Sequence, residues 1–221
     1  MSKAISGVTR IGILVSGGGT NLQAILNAKR DGTLDCCEIS VVISSKAAAF
    51  ALQRARQAGI PTECIIKKQF RTPDEYTQAL IQTLNDYGVQ LVVMAGFLQI
   101  VGEELIRAFE GRIINVHPSL IPAFSGEGFY GLIPHQKAIE YGVKLTGATT
   151  HFVSFETDCG PVILQKAVEV MPDDTAETLQ RRVMEEAEWI ILPESIRLFA
   201  QGRLRIDDRK VTILQKGIER L

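Results

Sequence analysis

From residue 11 to residue 116 the chain alternates short apolar runs with segments of helical periodicity. No other feature of the sequence restricts the fold as much. Ile11-Gly-Ile-Leu-Val15 is a short, largely apolar run ended by glycines, the pattern of a parallel strand buried on both faces. Residues 21–30 follow with Leu22, Ile25, Leu26 and Ala28 on one helical face. Residues 39–43 and 63–66 read as the next strands, with a helix between them over 47–58 that Gly59 is placed to end. Thr72-Pro-Asp-Glu75 is a strong helix start: Thr72 can cap, Pro73 suits the first turn, and Glu75 can close a capping box. Residues 91–95 and 112–116 are two further strands around a helix over 102–109. Such alternation predicts an α/β fold with a doubly wound, mostly parallel sheet.

The second half has a different texture. Residues 118–131 are rich in Pro, Gly and Ser and read as a long loop of the kind that is often functional. A short helix over 135–141 and strands over 144–153 and 162–170 follow, the strands separated by the polar loop 154–161. Residues 174–198 are one helical stretch with an expected break near Pro193. A hairpin is expected from 203–206 and 210–214. No repeat or linker divides the 221 residues, so one domain over 1–221 is expected, with an N-terminal extension over about 1–9 and a terminal hairpin and tail over about 207–221.

Charge excludes some partners. With 24 basic and 25 acidic residues the net charge is -1, so no global field draws in nucleic acid or an anionic membrane. The longest apolar stretch, residues 91–98, is too short to span a bilayer, and the N-terminus has no apolar secretory core. A cytoplasmic protein is expected. Its four cysteines show no metal-ligand spacing and read as reduced thiols, so no metal is expected.

Three constellations can carry chemistry. Ser16-Gly-Gly-Gly-Thr-Asn21 follows a strand and opens a helix, where free N–H groups and the helix dipole favour an anion. The third glycine of a dinucleotide fingerprint is missing, which favours a single phosphate; a plain turn is the bland alternative. Asn115 and His117, two apart along a strand, share a face at its carboxyl end and can clamp an oxyanion. Asp158 sits in a turn, where it either caps its own backbone or orients an imidazole and raises its pKa. His151 can line the same cleft or be a satisfied strand residue. Arg181-Arg182 and Glu185-Glu186 read as a solvated helix face.

SGGGTNLQAI, VVMAGFLQIV, INVHPSLIPAF, and HFV followed by TDCGPVILQ occur in this order. Together they resemble the folate-dependent formyltransferase family, and the SGGGTNLQ loop resembles its glycinamide ribonucleotide members. The resemblance covers roughly residues 10–206. It implies a Rossmann-like formyltransferase fold and transfer of a formyl group from 10-formyltetrahydrofolate, the co-substrate, to the amine of glycinamide ribonucleotide in purine biosynthesis, without a metal. It also implies Asn115, His117 and Asp158 as the catalytic trio, and Gly19, Thr20 and Asn21 as the phosphate loop. Leu98, Gln99, Ile100 and Val101, with Asn115, match the folate segment. A phosphate-site Glu falls in residues 184–189; aligning back from Pro193 selects Glu188, aligning forward a neighbour. Pro73, with Arg71 nearby, stands where the family often has a folate-contacting Arg, and Gln99 where a basic residue is common. The loop over 126–131 looks longer than usual.

The implied partners are small molecules only, with a monomer or homodimer as the assembly. Rival readings are a formyltetrahydrofolate hydrolase or another folate-dependent formyltransferase, both disfavoured by length, and, from other classes, a nucleotide-binding oxidoreductase or a non-catalytic phosphate-binding module.

Overall fold

The computed structural model describes residues 7–215. Five parallel strands, β1 (Thr9–Val15), β2 (Cys37–Ser44), β3 (Thr62–Cys64), β4 (Leu91–Met94) and β5 (Ile113–His117), lie in the spatial order β3-β2-β1-β4-β5. The order reverses at β1, which has β2 on one side and β4 on the other. Open α/β sheets bind ligands at such a switch point, beyond the carboxyl ends of the strands. The sheet continues with β6 (Leu145–Phe152) and β7 (Val162–Glu169), both antiparallel to their predecessors, and ends in the hairpin β8 (Leu204–Asp207) and β9 (Lys210–Ile213).

Side-chain alternation explains the layers. Ile11, Ile13 and Val15 of β1 join one core with Leu22 and Ile25 of α1 (Thr20–Arg30), Ala51 and Ala55 of α2 (Phe50–Gln57), and Leu192 and Ile196 of α7 (Trp189–Ala200). Leu14 faces the other way, toward Tyr76, Leu80 and Leu84 of α3 (Pro73–Asp86) and Leu105 and Ile106 of α4 (Glu103–Ala108). Gly12 lies under α3, where a β-carbon would stand 2.7 Å from Leu84. A third cluster joins Ala148 and Val168 of the antiparallel strands to α5 (Ile133–Tyr141) and α6 (Ala176–Val183).

Several expectations need correction. β1 begins at Thr9, inside the expected extension; the rest of that extension falls largely on residues 1–6, outside the described residues. The hairpin expected from 203–206 and 210–214 forms as β8 and β9, so it starts ahead of the terminal segment over about 207–221, of which residues 216–221 lie outside the described residues. β3 stops at Cys64 because Ile65 packs against the α3 core and the chain then makes a 3-10 turn over Lys67–Gln69. The break expected at Pro193 falls earlier. Pro193 lies inside α7, and the irregularity is a wide π turn over Met184–Glu188 on its N-terminal side, the side where a proline ring crowds the preceding carbonyls. Arg182 is not simply solvated: it makes a two-pronged pair with Asp174 at 2.6 and 2.7 Å and holds that carboxyl down at about 2.

Candidate active site

β5 carries Asn115 and His117 on one face at its carboxyl end, and antiparallel β6 completes the group. Asn115 is in register with His151, and His117 with Thr149. The Asn115 amide nitrogen lies 3.2 Å from His151 Nε2 and 3.5 Å from Asp158 Oδ1. His151 Nδ1 meets the Phe152 carbonyl at 3.0 Å. Asp158 comes from the loop between β6 and β7, and its Oδ2 stands 3.2 Å from His117 Nδ1 and accepts from the Gly126 N–H at 3.0 Å. On the other side of the ring, His117 Nε2 meets the Phe124 carbonyl at 2.9 Å.

Both ring nitrogens of His117 therefore face acceptors, an arrangement that a protonated imidazole fills and a neutral one half-fills. The two residues supplying those acceptors are held in the left-handed region, Phe124 at φ 50° and Asp158 at φ 54°. Such a backbone costs on the order of 1–3 kcal/mol per residue and recurs at functional sites. The Asp158 carboxylate is turned to His117 and the Gly126 N–H, away from its own backbone.

Burial decides the titration of the group. It holds the His117 imidazole below its ordinary value, and the Asp158 carboxylate and Phe124 carbonyl, which pull upward, do not prevail. The expectation of a raised His117 pKa is corrected accordingly: the carboxylate acts in the expected direction, but desolvation is larger. For Asp158 burial favours the neutral acid, yet His151, His117 and the Gly126 N–H together outweigh it and keep the carboxyl below its usual range.

The chain's three histidines are all buried, with His117 4% exposed, His135 0% and His151 1%. His135 was missed as a site neighbour; it read only as the start of a short helix. It lies on α5 with neither ring nitrogen paired. Burial, and next to it His117, bring its pKa down to about 4. That all of three histidines lie inside is unusual for a residue of intermediate burial, but the sequence carries no sign of burial at position 135.

The other residues expected in the site lie along the same carboxyl edge. The Gly-rich loop leaves β1 and opens α1, whose N-cap, Gly19, is left-handed and supplies no side-chain cap. The first-turn N–H groups are thus left for a ligand. A β-carbon on Gly19 would stand 2.7 Å from Ala51. Asn21 donates to Glu188 Oε2 at 2.6 Å across the α1–α7 packing. Glu188 closes the π turn, and burial pushes its carboxyl up to about 7 against the pull of Asn21. The segment after β4 divides by side: Leu98 and Ile100 are 50% and 70% exposed, Gln99 is half-buried, and Val101 turns into the core under α3. The Leu98 N–H donates to Ser16 Oγ at 2.9 Å, which ties this segment to the root of the Gly-rich loop. Arg71 and Pro73 both lie exposed at the start of α3. Cys159, beside Asp158, is an exposed free thiol, and among the described residues no side chain hydrogen-bonds to its sulfur.

Among the described residues no group of three His, Cys, Asp or Glu side chains is arranged to hold a metal, and no helix is long and apolar enough to cross a membrane.

Residues 9–196 match the family model for formyl transferases. The chain is 40% identical over 199 residues to the phosphoribosylglycinamide formyltransferase of Haemophilus influenzae, covering 90% of this chain and 91% of that protein. It is 39% identical to the trifunctional purine biosynthetic protein adenosine-3 of Gallus gallus, again over 90% of this chain but only 19% of the relative, so it spans about a fifth of the trifunctional protein. Its structure resembles that of glycinamide ribonucleotide transformylase 1 from Symbiobacterium toebii, with a TM-score of 0.89 and 46% identity over 94% of this chain and 95% of that one.

Proposed function

The chain belongs to the formyl transferase family, among its phosphoribosylglycinamide formyltransferases, and from that membership we propose that it transfers the formyl group of 10-formyltetrahydrofolate to the amine of glycinamide ribonucleotide in purine biosynthesis. The observation that carries the reading is the pairing of Asn115 and His117 on one face of β5 with Asp158 against the imidazole.

The division of labour follows from position. The ribonucleotide phosphate sits on the N–H groups of Gly19, Thr20 and Asn21, and Glu188 faces the same substrate from the π turn before α7. The folate lies along Leu98, Gln99 and Ile100, two of which offer exposed apolar side chains, with Val101 supporting the segment from the core. The formyl carbon is then beside Asn115. The substrate amine attacks it and the carbonyl oxygen becomes an oxyanion. The Asn115 amide and His117 Nε2–H donate to that oxygen, which takes the place of the Phe124 carbonyl as acceptor. As the tetrahedral species collapses, the carbon–nitrogen bond to folate breaks and His117 delivers a proton to the departing nitrogen. Asp158 stabilises the charged ring and orders a water that takes the proton of the attacking amine. Transfer is direct, by attack of the substrate amine itself; among the described residues the loop's thiol, Cys159, has no hydrogen-bonded base. No step calls for a metal.

The test is loss of the formyl group followed by folate absorbance, with glycinamide ribonucleotide as acceptor set against water, each with and without a chelator. Ribonucleotide-dependent transfer that persists in chelator is expected. Loss at the same rate with water alone makes the enzyme a hydrolase. Activity lost in chelator and restored by a divalent ion overturns the metal-free mechanism.

A further inference from the structure

The Gly-rich loop is shaped by contacts that come from outside it. The Gly17 carbonyl accepts from the Ala51 N–H at 3.1 Å and the Gly19 carbonyl from the Gln23 N–H at 2.9 Å. Between them, the Gly18 carbonyl accepts from Arg54 Nε at 2.9 Å. In a planar trans peptide the C=O of one residue and the N–H of the next point in opposite directions. Pinning three successive carbonyls therefore aims the N–H groups of Gly18, Gly19 and Thr20 away from the pins. None of these three has an acceptor among the described residues. Consecutive free N–H groups form an anion-binding concavity.

Two of the pins are backbone and come with the fold. The third is the Arg54 side chain, which is itself fixed twice over. Its Nη1 donates to Gln23 Oε1 at 2.7 Å, and its guanidinium lies over the Phe50 ring, 4.9 Å from the centroid. One planar fork thus joins α2, the Gly18 peptide and the first turn of α1.

We propose that Arg54 is a positioning residue for the ribonucleotide phosphate: it holds the Gly18–Gly19 peptide plane so that the Gly19 N–H is presented to the anion. The inference rests on the reading that the phosphate occupies this loop. The role depends on the shape of the side chain as well as its charge. A lysine keeps the charge, but it has no planar fork to reach Gly18 and Gln23 together while stacking on Phe50.

The experiment compares kcat/KM for glycinamide ribonucleotide and for the riboside that lacks the phosphate, at saturating formyl folate, in wild type, Arg54→Lys and Arg54→Met. Both variants should lower the ribonucleotide value about tenfold, the scale of a misaligned hydrogen bond to a charged group, through KM rather than kcat. The riboside value should stay put, so the ribonucleotide-to-riboside ratio falls about tenfold. A loss of folded enzyme lowers both rates alike and cancels in that ratio. A wild-type ratio in both variants overturns the proposal. So does a wild-type ratio in Arg54→Lys alone, which makes Arg54 a counter-charge. If wild-type enzyme itself does not distinguish ribonucleotide from riboside, the phosphate reading fails and the proposal falls with it.

Discussion

The Gly-rich loop and the Asn115–His117–Asp158 group sit on the same edge of one sheet, but they are built in different ways. The loop belongs to the parallel half. It presents backbone N–H groups, and its parts are contiguous: a strand, three glycines and a helix within residues 9–30. The trio spans the change from parallel to antiparallel. Its side chains come from β5 and the loop after β6, with His151 of β6 beside them, and the loop 118–132 adds only backbone, the Phe124 carbonyl and the Gly126 N–H. A site made of backbone tolerates side-chain changes but no added bulk. A site made of converging side chains tolerates neither a lost charge nor a lost neighbour. The first should respond in binding and stability, the second in turnover.

The largest expected effect breaks the trio. Asp158→Asn keeps the size and removes the charge, and it should lower turnover by on the order of 10²–10⁴-fold. It also removes the upward pull on an imidazole that burial already holds below its ordinary value. The His117 pKa should fall further, and an alkaline limb due to loss of the protonated donor should move to lower pH. The acidic limb belongs to the substrate amine and should not move. Ribonucleotide affinity should be nearly unchanged, because the loop is a separate contact. A pH–rate profile with NMR titration of the imidazole decides it. Near-normal turnover, or a His117 pKa that rises in the variant, leaves Asp158 as a structural anchor for the Gly126 N–H.

The loop should show the opposite pattern under Gly19→Ala. The residue has φ 73°, and a β-carbon there meets Ala51 at 2.7 Å. Strain and overpacking together should cost about 2–4 kcal/mol of stability. That corresponds to a Tm lower by roughly 5–15 °C for a chain of this size. Affinity for the ribonucleotide should fall at least about tenfold, since the N–H groups shift with the peptide. Turnover at saturation should hold. Thermal melts and calorimetric titration measure the two parts; unchanged ribonucleotide affinity removes the phosphate from this loop. A glycine at this position lets the backbone approach an anion closely. The structure adds a second reason for glycine, the fit against α2.

The same contrast explains what could be read from the chain. β1 to β5, the strong cap at Thr72 and the Gly-rich loop were legible because each is a local pattern of burial period or turn chemistry. Asn115 and His117 were legible as a pair because alternation along one strand is local as well. The roles of His151 and Asp158 depended on an antiparallel register between segments some 36 and 43 residues from Asn115, which periodicity does not encode. The left-handed backbone at Phe124 left no mark, because phenylalanine is not a residue that signals positive φ. The direction of the His117 shift could not be read either, because desolvation is a property of the folded surroundings. Arg54 carries no mark of its contact in the sequence, because the Gly18 carbonyl it meets is 36 residues away.

The smallest effect sharpens the comparison at Glu188, where α7 closes over the loop. Its carboxyl is buried and raised to about 7 from the ordinary 4.5. Below about pH 4.5 the group is protonated in both folded and unfolded chains and costs nothing. As pH rises from there toward 7, the unfolded chain gives up the proton first, so stability falls; above 7 the penalty is complete. Glu188→Gln removes the titration and leaves an oxygen to accept from Asn21. The variant should match wild type in Tm near pH 4 and exceed it by a few degrees at pH 8. If the charged carboxylate serves the substrate, the gain comes with a severalfold weaker ribonucleotide KM at pH 8 and little change in kcat. Melts at the two pH values, with KM and kcat measured alongside, test both halves. Equal Tm at pH 8 means that Glu188 is not held as a strained buried acid. A gain in Tm with an unchanged KM leaves Glu188 as a packing residue behind Asn21, outside the binding site.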